Sequence, residues 1–277
     1  MKYLSAITTY NPDPSRLEEN LRALLPQTDF LLITDNGSAN FADIKALAGK
    51  LCHDAGPELE LIQNEKNLGV ARALWQIMDF AEGNGFDWVL TLDQDSVAAP
   101  ELIEHYLEYA SYPSAGALTC VIKDRNFTES FPDTAAPVDK CITSGCFMST
   151  EAYKKTPGYN PELFIDKVDF DICCALRRAG YEIICVPYEG LLHEVGHAKN
   201  VSVAGRGTVV FGQPAWRRWY SARNGIYIAR KYGYESTAKA LARELKDVLA
   251  VFIYEDDRAA KLKAGIKGIA AGFKMKI

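Results

Sequence analysis

Leu90-Thr91-Leu92-Asp93-Gln94-Asp95-Ser96, "LTLDQDS", is the stretch on which the fold turns. From Trp88 to Leu92 the chain is a short, mainly apolar run, the pattern of a buried strand. It ends in two carboxylates one residue apart, followed by a serine. The plainest use of such residues is a solvated turn, which Asp and Ser favour. Asp93, Asp95 and Glu104 have the spacing of three EF-hand ligands, but Val97 and Ala98 stand where a ligand and the turn glycine belong, which excludes that loop. A glycosidase pair needs carboxyls about 5 Å or more apart with one acid kept neutral, and nothing nearby supplies that. The remaining use is a divalent cation beside a nucleotide phosphate. Mg²⁺ and Mn²⁺ take oxygen ligands, commonly one or two carboxylates plus substrate phosphates.

Outward from this stretch, strands alternate with helices. Tyr3–Thr9, Phe30–Thr34 and Leu59–Gln63 read as strands. Ser15–Leu25, Ala42–Leu51 and the run from Val70 to about Glu82 read as helices. That alternation predicts a parallel sheet with helices on both faces, which binds ligands at the carboxyl ends of its strands. The clusters Thr8–Asn11, Asp35–Ser38 and Asp93–Ser96 all follow strands, so they gather on one edge. The second half is less regular. Pro100–Tyr109, Phe170–Ala179, Trp216–Tyr232 and Ala238–Tyr254 read as helices, and Ala115–Ile122 and Ile183–Val186 as strands. Arg125–Val138, with two prolines, and His193–Gly207, rich in glycine and polar residues, read as loops.

Composition narrows the function. The 277 residues are 48% hydrophobic and 24% charged, an ordinary globular balance. A net charge of −5 argues against a general nucleic-acid binder. The seven cysteines form no C-x-x-C, and several lie in apolar runs, which points to a reducing compartment and no zinc site. The first residues are too polar for a signal peptide, and no run approaches the ~18 apolar residues of a membrane span. A cytoplasmic protein is expected. Against the acidic trend, Lys261–Lys276 carries five lysines and no acid, mixed with Leu262, Ile266, Ile269 and Phe273. It reads either as a solvated helix end or as a segment lying on an anionic membrane.

"ITTYNP" at Ile7–Pro12, "TDNGS" at Thr34–Ser38, "NLGVARA" at Asn67–Ala73 and "LDQDS" at Leu92–Ser96 come in one order. Together they resemble the nucleotide-binding half of GT-A glycosyltransferases of inverting family 2. The resemblance continues through "TSGCFMS" at Thr143–Ser149, "FIDKVDFDICCALRRAGYEI" at Phe164–Ile183, "LLHEVG" at Leu191–Gly196 and "RRWYSARNGIYIARKY" at Arg217–Tyr232. The last two look most like the bacterial rhamnosyltransferase branch, which uses dTDP-L-rhamnose. The resemblance implies one α/β domain of GT-A type, a Rossmann-like three-layer sandwich with a mostly parallel central sheet and C-terminal helices. Residues 1–96 would bind nucleotide, 97–215 donor sugar and acceptor, and 216–277 would form helices with the basic tail. It implies transfer of L-rhamnose, with inversion, to a hydroxyl of a saccharide or lipid-linked saccharide in cell-surface polysaccharide synthesis, with Mn²⁺ or Mg²⁺ as cofactor. A UDP-hexose or galactofuranose donor is the nearest alternative.

By the same resemblance Thr8, Tyr10 and Asn11 line the base pocket, and Asp35 accepts hydrogen bonds from base or ribose. Asn67 and Gly69 precede a helix whose N-terminus favours anions, and Arg72 lies one turn in, within reach of a phosphate. Plain helix capping is the competing reading. Asp95 matches the direct metal ligand, and Asp93 the acid that meets ribose or the metal through water. His193 is the candidate third ligand, with His197 competing. Gly145 and Cys146 match the segment beneath the donor sugar. Asp169 falls on the catalytic base, although Val168 stands where the family usually has Glu, so Asp166 is the alternative acid. Asp171 reads as a charge at a helix start. Arg223 and Asn224 match a segment that holds a donor or acceptor phosphate, against a surface ion pair. A non-catalytic sugar-nucleotide-binding subunit would keep the donor site without depending on Asp169. A nucleotidyltransferase would need a basic Gly-rich loop after the first strand, which "TTYNPDP" is not.

Overall fold

The computed structural model describes residues 1–124, 134–193, 199–203, 206–210 and 212–277. In chain order the elements are β1 (Tyr3–Thr9), α1 (Pro14–Leu24), β2 (Phe30–Asp35), α2 (Phe41–Ala55), β3 (Glu58–Gln63), α3 (Val70–Gly83) and β4 (Trp88–Asp93). Then follow β5 (Val97–Ala98), α4 (Leu102–Tyr109), β6 (Ala115–Asp124), β7 (Ala136–Val138), β8 (Cys146–Ser149), α5 (Thr150–Lys154), α6 (Val168–Arg178) and β9 (Glu182–His193). The chain ends in β10 (Lys199–Val203), β11 (Arg206–Val210), α7 (Ala215–Tyr232), α8 (Thr237–Tyr254) and α9 (Arg258–Lys274). It divides into two compact units, Met1–Glu162 with Ile172–Glu194, and Leu163–Asp171 with Val195–Ile277.

The first unit is built on one sheet in the order β3-β2-β1-β4-β8-β6-β9-β5, with β7 on β9. β3, β2, β1 and β4 are mutually parallel, as the alternation of strand and helix predicts. The half beyond β4 is mixed: β8 is antiparallel to both β4 and β6, while β6 and β9 are parallel. Alternate residues of each central strand feed opposite faces. Ile7, Leu31, Ile33 and Leu90 meet Leu17, Leu21 and Leu24 of α1 and Ile44 and Leu51 of α2 in one core. Phe147 is fully buried in it, stacked on Trp88 at 5.0 Å and Tyr106 at 5.5 Å between centroids. α1 starts where Asp13 Oδ1 accepts from the backbone N–H of Ser15 and Arg16, with Pro14 preset for the first turn.

Two stretches that read as loops carry strands. Ala136–Val138 pairs antiparallel with β9, Val138 opposite Ile183. Residues 199–203 and 206–210 form a hairpin, which a glycine count conceals but valines at 201, 203, 209 and 210 support. β9 also runs on past Val186 to His193. The register between β6 and β9 shifts between the pairs Thr119–Cys185 and Val121–Glu189, and the skipped segment holds Pro187, which cannot donate to a ladder.

The second unit rests on α7, α8 and α9. Glycines let α9 approach closely: a Cβ on Gly268 would lie 2.4 Å from the Trp219 carbonyl oxygen, and one on Gly272 2.5 Å from that of Arg223. A Cβ on Gly265 would meet Val248 of α8 at 2.4 Å. Part of the basic tail is thereby interior. Ile269 is buried, and Lys261 is buried in an ion pair with Glu255 at 2.8 Å. Gly268→Ala sets a methyl against helix backbone and is expected to lower stability by about 1–3 kcal/mol. Gly49→Ala, in α2 with nothing within 4 Å, is expected to raise it by about 0.5–1 kcal/mol. Paired thermal melts check both signs.

Candidate active site

The carboxyl ends of β1, β2 and β3 are tied together by side chains. Asp35 is fully buried. Its Oδ1 accepts from Thr9 Oγ1 at 2.9 Å, and its Oδ2 from the backbone N–H of Gly37 at 3.1 Å and Ser38 at 2.9 Å. Both oxygens thus serve the chain itself. Asn11, at a φ of 46°, donates its N–H to Ser38 Oγ and accepts from the Ala39 N–H. Asn36 Oδ1 accepts from Asn64 Nδ2 and the Leu68 N–H, and Asn36 Nδ2 donates to Asn67 Oδ1. Asn67 Oδ1 also accepts from the Gly69 N–H at 2.8 Å, and Gly69 opens α3 at a φ of 86°. Gly37 needs its missing side chain, since a Cβ there would sit 2.6 Å from the Lys66 backbone. Arg72 lies over the Trp75 ring at 4.2 Å. Asn36 lies within the "TDNGS" motif without a role assigned from sequence, and Asn64 lies outside every motif; the signal of each is an amide just past a strand.

The acid pair stands at the end of β4, where Asp93 pairs in register with Thr8 of β1. Tyr10 has an exposed ring, and its N–H donates to Gln94 Oε1 at 2.8 Å. The Asp93 carbonyl accepts from Asn20 Nδ2 at 2.7 Å. Its N–H donates to Ser144 Oγ, which in turn donates to Ser96 Oγ at 2.7 Å. Ser96 Oγ then meets His193 Nδ1 at 2.9 Å. Strand pairing explains this contact. β5 sets Val97 opposite Leu192 and Ala98 opposite Leu191, so the next step outward brings Ser96 to His193. Gly145, at a φ of 77°, donates its N–H to the Thr91 carbonyl and accepts from the Tyr106 hydroxyl. The buried Cys146 follows it.

Asp95 is half-buried, and its carboxylate makes no hydrogen bond or ion pair among the described residues. With the proton on Nδ1, His193 donates to Ser96 and keeps the Nε2 lone pair for a ligand, a common arrangement for metal-binding histidines. Carboxylate and imidazole together suit Mn²⁺. Among the described residues no three His, Cys, Asp or Glu side chains are drawn into one cluster. The donor set fits a divalent cation in its chemistry without forming a closed cage. His197 lies outside the described residues.

In the second unit, the segment before α6 is held in left-handed backbone: Phe164, Asp166 and Lys167 have φ of 63°, 63° and 61°. Asn224, fully buried on α7, donates Nδ2 to the carbonyls of Leu163, Ile165 and Asp166 at 3.1, 2.9 and 2.8 Å. Arg223 donates to the Leu163 carbonyl and to Asn224 Oδ1, and its guanidinium lies over Trp219 and Tyr220. These contacts of Arg223 and Asn224 are internal. Arg217 grips Asp166, with Nη2 2.9 Å and Nε 3.1 Å from Oδ1. Asp171 is buried against Lys231 at 2.9 Å, and burial pushes its carboxyl above the usual range against the pull of that lysine. Asp169, in the first turn of α6, is half-buried and accepts from the Phe170 N–H.

Comparison with known proteins places this arrangement. Over 245 residues the chain is 26% identical to the dTDP-rhamnosyl transferase RfbF of Shigella flexneri, covering 82% of this chain and 79% of that protein. It is 25% identical to an N-acetylglucosaminyl-diphospho-decaprenol L-rhamnosyltransferase of Mycobacterium tuberculosis, covering 77% of this chain and 85% of that one. Among solved structures, residues 1–349 of S. aureus TarS with UDP superpose with a TM-score of 0.64 at 15% identity, covering 97% of this chain and 81% of that one. GalNAc-T7 with UDP, GalNAc and Mn²⁺ gives 0.59 at 11%, covering 90% and 57%. These two likenesses establish the GT-A fold. Residues 6–182 match the sequence profile of Glycosyl transferase family 2, and the chain belongs to that family.

Proposed function

We propose that the protein is a metal-dependent, inverting rhamnosyltransferase that moves L-rhamnose from dTDP-L-rhamnose to a hydroxyl of a saccharide acceptor. The observation that carries this reading is Asp95, just past the end of β4 and without a partner among the described residues, with His193 fixed against the adjacent Ser96. The similarity to the Shigella dTDP-rhamnosyl transferase supports the choice of sugar. The mycobacterial relative's name, with its diphospho-decaprenol, supports a lipid-linked saccharide as acceptor. The product would enter cell-wall or O-antigen polysaccharide.

In this reading Thr8, Tyr10 and Asn11 border the base, and Asp93 meets ribose. Asp35 acts on the pocket through the loops it ties, since its carboxylate is fully buried. Asn67, Gly69 and Arg72 offer the start of α3 to the diphosphate. Gly145 and Cys146 form the floor beneath the sugar. Asp95 and His193, with Asp93, would hold Mn²⁺ or Mg²⁺. When bound, such a cation supplies Lewis-acid neutralisation of charge on the departing diphosphate. Asp169 takes the proton from the acceptor hydroxyl, because an alcohol is a poor nucleophile until it is deprotonated. Asp169 is preferred because it falls on the family's catalytic acid, while Asp166 pairs with Arg217 and Asp171 with Lys231. Arg223 and Asn224 serve by shaping the segment that leads to Asp169.

Thermal-shift titration with dTDP-rhamnose, UDP-glucose, UDP-galactose and GDP-mannose, with and without Mn²⁺, tests donor and metal together. The expected result is a Mn²⁺-dependent rise in Tm with dTDP-rhamnose alone. A rise with a UDP-sugar instead overturns the donor, and a rise indifferent to Mn²⁺ overturns the metal. Asp95→Asn is expected to weaken Mn²⁺ binding measured by calorimetry. Asp169→Asn is expected to keep the donor shift while kcat falls by about 10²–10⁴. Unchanged turnover in that variant would overturn Asp169 as the base, and a wild type that binds donor without any turnover would favour the non-catalytic reading.

Asn224→Ala removes the donor to the Ile165 and Asp166 carbonyls and the acceptor of Arg223 Nε, and is expected to cost about 1–3 kcal/mol of stability. Steady-state kinetics should show kcat lowered and KM for the donor nearly unchanged, the pattern of a group that positions the base.

A further inference from the structure

α8 and α9 are joined by three residues, 255–257, and their contact pair Val248–Gly265 lies at nearly the same distance on either side of that turn. The two helices therefore form an antiparallel hairpin. Each residue advances about 100° around a helix. In an antiparallel pair, residues the same number of steps past the facing positions fall on the same side of the hairpin. Leu249 and Ile266 are each one step past Val248 and Gly265. Leu245 and Phe252, one turn before and after Val248, fall on that side too, as do Ile253 and Phe273. All six are exposed, from 39% for Phe252 to 53% for Ile266. None of them belongs to the buried clusters of this unit, which use Val248, Ala250, Val251 and Ile269 instead.

Charge is arranged around this strip. Lys263, Lys267 and Lys274 fall on its outer border along α9, all exposed, and make no ion pair among the described residues. Lys246 and Lys239 fall on its outer border along α8. Asp247 falls on the opposite side of α8. An exposed apolar strip between two rows of lysines, with the exposed acids Asp256 and Asp257 confined to the turn at its end, is complementary to an anionic lipid surface, with side chains in the acyl boundary and ammonium groups at the phosphates. A second copy of the chain would bring like charges together along both borders.

We propose that this face of the α8–α9 hairpin docks the protein on anionic membrane. No described helix is long and apolar enough to cross one. The proposal adds a surface to the lipid-linked acceptor named above, and its test does not depend on transfer.

Co-sedimentation with phosphatidylglycerol vesicles and with phosphatidylcholine vesicles, at low and high salt, reads the docking directly. The wild-type chain is expected to pellet with the anionic vesicles and to be released by salt. Reversing Lys263, Lys267 or Lys274 to Glu should weaken partitioning about fivefold or more for each. Ile266→Glu with Phe273→Glu should abolish it while the melting temperature and the donor-induced shift persist, since both residues are exposed. A wild type that stays in the supernatant with anionic vesicles overturns the proposal. So does equal binding to neutral vesicles. Light scattering that shows a dimer which Phe273→Glu dissociates, without vesicle binding, assigns the face to a second copy instead.

Discussion

A parallel sheet leaves a specific problem at its carboxyl edge. Several chain reversals crowd together there, and each brings backbone N–H groups that no ladder satisfies. In this protein the buried Asp35 carboxylate answers much of it, holding the Thr9 hydroxyl and the N–H groups of Gly37 and Ser38. Asn36, Asn64 and Asn67 extend the same service to the loop that opens α3. A carboxylate with no exposure is costly unless hydrogen-bonded, and here three donors meet it. With these loops fixed, the end of β4 can present Asp93 and Asp95 on a rigid rim.

The second constraint is a short one. Two residues of β5 pair with β9, and this small ladder sets His193 beside Ser96 across almost a hundred positions of sequence. The chemistry attributed to the site therefore depends on backbone register as much as on the acids themselves. Ser144 links the same chain of hydroxyls to the Asp93 backbone, so the motifs at Leu92–Ser96 and Thr143–Ser149 converge with Leu191–His193.

The first half was legible because its signals are local. The run Phe30–Thr34 and the leucines of α1 announce strand and helix by period alone. The asparagine bonds were not legible, since an amide after a strand looks like any turn residue. The hairpin of β10 and β11 was missed because glycine and polar residues outweigh four valines in composition. β9 was cut short at Pro187, where proline usually ends a strand, yet the sheet absorbs it by shifting register. In the basic tail, charge said nothing of direction: Lys261 turns inward to Glu255, while Lys263 and Lys267 face outward. Only helix packing on Gly265, Gly268 and Gly272 separates the two fates.

Phe164, Asp166 and Lys167 adopt left-handed backbone without being glycine, a conformation that costs roughly 1 kcal/mol or more for each residue. Asn224, Arg223 and Arg217 hold the segment through the carbonyls of Leu163, Ile165 and Asp166 and the Asp166 carboxylate. The amide and the strained backbone are thus coupled: losing Asn224 removes the donor to the Ile165 and Asp166 carbonyls, while glycine at a strained position would lower the cost of the left-handed turn without replacing that donor.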